Sequence, residues 1–269
     1  MFPDRTYKIL WAGFPEEAEM SRFLRYLLLG VSVVQLFFAA AFYLQWPFAT
    51  ALWPFEGTTP LTFIFVASIF AAAAASTLWT VLSGNHAALA GIGLDYAVIL
   101  TALTVVSFSG GFIALGLASI VGSLFGLALL VWGARQKLDR SVPMPGPVRA
   151  AFIFFVIALW IVGGRLALQI PGSIPWSITP ELSVVIGWMF LGASAYFVYG
   201  LLRPSWANAA GQLMGFLAYD MVLIVPFLAR LSTVTPEHRL GHFIYTGVVT
   251  VSGLVAIYYL FIYRFSKIS

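Results

Sequence analysis

Apolar residues in this chain run in unbroken blocks of about twenty or more, separated by short stretches rich in Pro, Gly and charge. A helix rising about 1.5 Å per residue crosses a hydrocarbon layer about 30 Å thick with a block of that length. The pattern predicts eight transmembrane helices over residues 24–46, 60–83, 87–108, 111–134, 149–170, 181–202, 206–230 and 241–264. Barrel strands alternate apolar and polar positions over about ten residues, whereas these blocks are apolar on every face. The expected fold is therefore all-α, a polytopic transmembrane bundle forming one domain over 21–269. Residues 1–20 mix Phe2, Tyr7, Trp11 and Phe14 with charges and prolines, and are expected to lie along the membrane surface.

Composition agrees with the pattern. Hydrophobic residues make up 61% of the 269 and charged residues 9%, against about a quarter charged in soluble domains. Trp46, Trp53, Trp79, Trp132, Trp176 and Trp206 fall near span ends, where interfacial aromatics gather. With the N-terminus inside, Arg5, Lys8, Arg22, Arg25, Arg135, Lys137, Arg140, Arg149, Arg203, Arg264 and Lys267 are cytoplasmic, and Arg230 and Arg239 lie on the far side. Both termini are thus expected inside, in a bacterial-type inner or plasma membrane. The first block follows Glu16, Glu17 and Glu19 and lacks a small-residue cleavage pattern, so it reads as a retained helix. The net charge of +4 is accounted for by this topology and by anionic headgroups, without a nucleic-acid partner. Expected partners are membrane lipids, with a homo-oligomer or other membrane subunits also compatible.

The loop at residues 135–149 divides the spans into two groups of four, between which no residue-level repeat is visible. The outer loops at 45–60 and 170–181 are rich in Pro and Trp, as expected of segments that cap a bundle, and a substrate lid is the functional alternative. In the fourth span Ser119 and Ser123, and Gly122 and Gly126, are spaced four apart on one face. Small residues so placed let a second helix approach closely, in the same chain or in another copy.

Three ionisable side chains fall inside predicted spans: Asp95, Arg165 and Asp220. Each would cost on the order of 2.5–3.5 kcal/mol at a helix centre, so each is expected to face the interior and to have a partner. Measured from the cytoplasmic span starts, Asp95 lies about 12 Å deep, Asp220 about 21 Å and Arg165 about 24 Å. The functional expectation is an Asp220–Arg165 pair with Asp95 nearer the cytoplasm, in a track extended by the hydroxyls of Tyr96, Tyr219, Thr101, Thr104, Tyr196 and Tyr199. The structural alternative is a buried ion pair and a lone protonated Asp95 that hold the bundle in register.

Other chemistry is thinly represented. There is no cysteine, which removes disulfides and thiolate ligands. His86, His238 and His242 lie at or near predicted span ends, and His238 and His242 are expected to be solvated. Buried haem, zinc and di-iron sites need several ligating side chains inside the helices, so no metal site is expected. No nucleophile and base stand at catalytic spacing within the spans.

Taken in order, the first seven spans resemble the heliorhodopsin branch of microbial rhodopsins. The stretches that carry the resemblance are RFLRYLLLGVSVVQLFF, the Asp95–Tyr96 pair, LASIVGSLFGL, FIFFVIALWIV and GASAYFVYGLL. It implies that Asp95 stands where that family keeps the counterion of its retinal Schiff base. The chain departs from the family in the seventh span, where LAYDMVLIVPFLARL has Asp220 close to the place of the retinal-bearing lysine. Lys8, Lys137 and Lys267 all lie outside the predicted spans, and the eighth span has no counterpart in the family. Covalent retinal is therefore not expected, and a bound lipid or a non-covalent apolar ligand remains compatible.

The sequence thus favours a non-enzymatic membrane protein whose buried polar residues bind or move a proton or small cation. The alternatives are a subunit of a larger complex that binds lipids or pigments and, last, a lipid-modifying enzyme.

Overall fold

The computed structural model describes residues 20–55, 57 and 59–263, so the surface segment expected at 1–20 lies almost entirely outside the described residues. Among the described residues, eight helices are long and apolar enough to cross a membrane. They are α1 (Arg22–Tyr43), α2 (Pro60–Ser83), α3 (Leu89–Ser109), α4 (Ile113–Ala134), α5 (Gly146–Ala167), α6 (Pro180–Leu202), α7 (Trp206–Ala229) and α8 (Pro236–Ile257). The chain is an all-helical, multi-pass integral membrane protein.

The helix ends follow local chemistry. The side chains of Ser21, Thr179 and Ser205 accept hydrogen bonds from backbone N–H groups of the first turns of α1, α6 and α7. Proline opens α2, α5, α6 and α8, where its missing N–H costs nothing. Two boundaries differ from the hydropathy pattern for this reason. Pro147 is admitted in the first turn of α5, which starts at Gly146, and Ile170–Pro171 bars continuation, so the helix ends at Ala167. Likewise α8 begins at Pro236, five positions before the expected 241. Past Ile257 it widens into a π-helical turn over Tyr258–Ile262.

Packing runs in hairpin pairs, α1 on α2, α3 on α4, α5 on α6 and α7 on α8, joined through α2 with α7 and α3 with α6. Adding four to every helix number carries this set of contacts onto itself, since α2–α7 becomes α6–α3. The first four and last four helices thus repeat one packing plan that their residues do not reveal. The small face of α4 lies against α3 of the same chain. A Cβ at Gly126 would sit 2.8 Å from the Ala97 nitrogen, one at Gly122 would sit 2.6 Å from Leu100, Ser119 is buried, and Ser123 Oγ hydrogen-bonds Thr101 Oγ1 at 2.6 Å. The α5–α6 pair is as close, through Gly163 and Gly187, a site the hydropathy pattern did not single out.

Candidate functional site: an apolar cavity between the helix groups

Where α2 and α3 face α5, α6, α7 and α8, side chains are too small to fill the bundle. Ala72, Ala73, Ala158, Ala193 and Gly215 all border a cavity of about 410 Å³. That volume falls within the range of small-molecule sites, about 300–1,000 Å³.

Its walls are aromatic and aliphatic. Phe155, Phe197 and Phe216 form one packed cluster on the wall, with ring centroids 4.4–5.6 Å apart. The far end is closed by the loop between α5 and α6, whose residues Gly172, Ser173, Ile174 and Pro175 all line the cavity. Trp176, expected at the membrane interface, is instead buried with its ring against Phe65, Phe227 and Tyr245, and it anchors this loop. Phe154 on α5 and Ile244 on α8 line the cavity and are 54% and 59% exposed. The cavity therefore opens sideways between α5 and α8, which pack mainly on α6 and α7.

A few polar groups interrupt these walls. Asp220 on α7 is 3% exposed and accepts a 2.7 Å hydrogen bond from Ser252 of α8 at Oδ2, while its Oδ1 has no hydrogen-bond partner among the described residues. Asp95 on α3 borders the same cavity from the other helix group, beside Gly192 of α6, and its Oδ1 is likewise buried and unpartnered. Tyr96 hydroxyl accepts from Gln35 Nε2 at 2.8 Å, and Tyr219 and Tyr245 share a short hydroxyl–hydroxyl bond. Gln212 Nε2 donates to the Tyr196 carbonyl at 2.7 Å, leaving its Oε1 unpartnered. A buried polar atom left without a partner costs about 1–3 kcal/mol, so four such atoms, the Tyr196 hydroxyl included, around one apolar space mark a site for something that supplies partners.

Asp95, Tyr96, Tyr219 and Asp220 thus converge, but Arg165 does not join them. The Asp220–Arg165 pair expected from depth is absent because α5 stops three residues early, which puts Arg165 in its last turn. There the exposed guanidinium reaches past the helix end to Ser173 Oγ at 3.3 Å and the Pro171 carbonyl at 3.4 Å, a favourable place for a cation. The longer hydroxyl track also diverges. Thr101 bonds α4, Thr104 bonds the Leu100 carbonyl of its own helix, and Tyr199 reaches the Ala87 carbonyl, while Tyr196 does line the cavity.

His242 is a second correction. The earlier start of α8 carries it into the bundle, where it is fully buried, stacked on Phe227 at 4.9 Å and bonded through Nε2 to the Phe227 carbonyl at 2.8 Å. That carbonyl belongs to the last turn of α7, where the backbone gives it a 3.3 Å bond from Arg230 N–H and His242 adds a second, shorter one. His242→Ala is expected to lower stability by about 1–3 kcal/mol, read as a drop in thermal unfolding midpoint in detergent, whereas His238→Ala at the exposed helix start should leave it unchanged.

No family model, characterised protein or solved structure matches the chain.

Proposed function

We propose that the chain binds a small, largely apolar molecule without a covalent bond, in the cavity between its two helix groups. The observation that carries this reading is the combination of an apolar space of about 410 Å³ with unpartnered oxygens of Asp95, Gln212 and Asp220 at its edge. Apolar walls supply affinity, and a small number of fixed polar groups orient the guest. The side opening between α5 and α8 gives a molecule dissolved in lipid a direct route in. The heliorhodopsin-like stretches agree with an interior apolar ligand, here held without the lysine linkage.

The second reading, movement of a proton or small cation, is favoured by one observation. The two carboxyl groups come one from each helix group and border one space at their interface, where transporters built from repeats place their sites. The mainly apolar walls of the cavity weigh against a continuous ion path, so binding is preferred.

The binding claim is tested with tritiated 1-decanol and protein in lipid nanodiscs, corrected for uptake by empty nanodiscs. Saturable binding of about one molecule per chain is the expected result. Uptake that rises linearly with concentration and matches the empty discs refutes it.

A further inference from the structure

The charges around the cavity are one-sided. Asp95 and Asp220 border it, and among the described residues no Lys, Arg or His does. Arg165 and His242 are committed elsewhere, Arg165 to the loop after α5 and His242 to the Phe227 carbonyl. Asp220 is 97% buried by the protein, since 3% of its surface remains exposed, and Ser252 holds its Oδ2 so that Oδ1 is left for a guest. The remaining walls are rich in aromatic faces, including Phe155, Phe197 and Phe216. Aromatic faces attract organic cations through the negative face of the ring, most strongly where water is excluded. Buried carboxylates call for an opposite charge that no neighbouring side chain supplies.

Resting on the apolar-ligand reading above, we propose that the ligand is a lipophilic amine, whose ammonium group bonds Asp220, with Asp95 adding its charge from across the cavity, while its hydrocarbon part lies against the phenylalanine cluster. A neutral molecule of the same shape would leave both carboxyl groups unpaired or oblige them to stay protonated. An alkylammonium, protonated at neutral pH as a lysine side chain is, supplies up to three N–H donors to the unpartnered oxygens.

The test compares tritiated decylamine with tritiated 1-decanol on the full chain in nanodiscs, each corrected for empty discs. The wild type should bind the amine at least tenfold more tightly than the alcohol, and Asp220→Asn should lower that ratio at least tenfold. Asp95→Asn should lower the ratio as well, and it carries the test if Asp220→Asn fails to fold. Equal affinity of the wild type for amine and alcohol, or a ratio unchanged in the folded variants, overturns the amine assignment and leaves the cavity reading standing. Binding of neither probe removes the cavity reading and the amine assignment with it.

Discussion

Gly187→Leu is expected to be the most damaging single substitution in the bundle. A Cβ at this position would lie 2.5 Å from the Ala167 nitrogen and 2.7 Å from the Gly163 carbonyl oxygen, both backbone atoms of α5. Backbone inside a helix cannot yield as a side chain does, so α5 and α6 must separate along their whole contact. Contacts made across that seam, including Ser183 Oγ to the Leu166 carbonyl at 2.8 Å and Ser194 Oγ to the Val156 carbonyl at 3.3 Å, would be lost with it. Ordinary overpacking costs about 1–3 kcal/mol, and a displaced helix pair should cost about 3 kcal/mol or more. The neighbouring Gly164 provides the control, since a Cβ there meets nothing within 4 Å. Thermal unfolding in detergent should show a large fall in midpoint for Gly187→Leu and little change for Gly164→Leu. Similar behaviour of the two variants would mean that the α5–α6 seam is not the close contact described.

Ala193→Phe is expected to have the largest effect on binding. Ala193 is on α6 and borders the cavity on the same wall as Phe190 and Phe197. A phenyl ring placed there has open space in front of it, so the fold should tolerate it, but it occupies volume the guest needs. Excluding a guest from apolar contact worth one large side chain, about 1.5–3 kcal/mol, weakens binding about 10–100-fold. Both decanol and decylamine should be affected equally, because the change acts on the hydrocarbon part of the site and not on the carboxyls. Equilibrium binding in nanodiscs, alongside an unchanged unfolding midpoint, checks this. Undiminished affinity for both probes in a folded Ala193→Phe protein would place their binding somewhere else.

The helices were legible in the sequence because a membrane imposes length and apolarity on every span, and each block of about twenty apolar residues became one helix. The small face of α4 could be read for a similar reason, since residues four apart share a face whatever they pack against. Which helices touch is a different kind of information. Hydropathy says nothing of which faces of α7 and α8 meet, so Ser252 could not be found as the partner of Asp220 from depth alone. A three-residue error at the end of α5 sufficed to move Arg165 from the interior to a solvent-side last turn, and a five-residue error at the start of α8 hid His242. Pro171, which bars helix at the residue before it, and Pro236, which a first turn admits, were the signals that would have corrected both. The cavity itself left no motif, because it is made by small residues, Ala72, Ala158, Ala193 and Gly215, that come from separate helices and look unremarkable in each.

The central claim is that a guest occupies the interior and not the lipid-facing surface. It is tested most directly by electron cryomicroscopy of the chain in nanodiscs with 10-bromo-1-decanol, whose bromine marks the probe. The account predicts bromine density inside the bundle, against Phe155, Phe197 and Phe216, with the hydroxyl end toward Asp95 or Asp220. Bromine density confined to the outer faces of the helices, with the cavity unchanged by the probe, would contradict it.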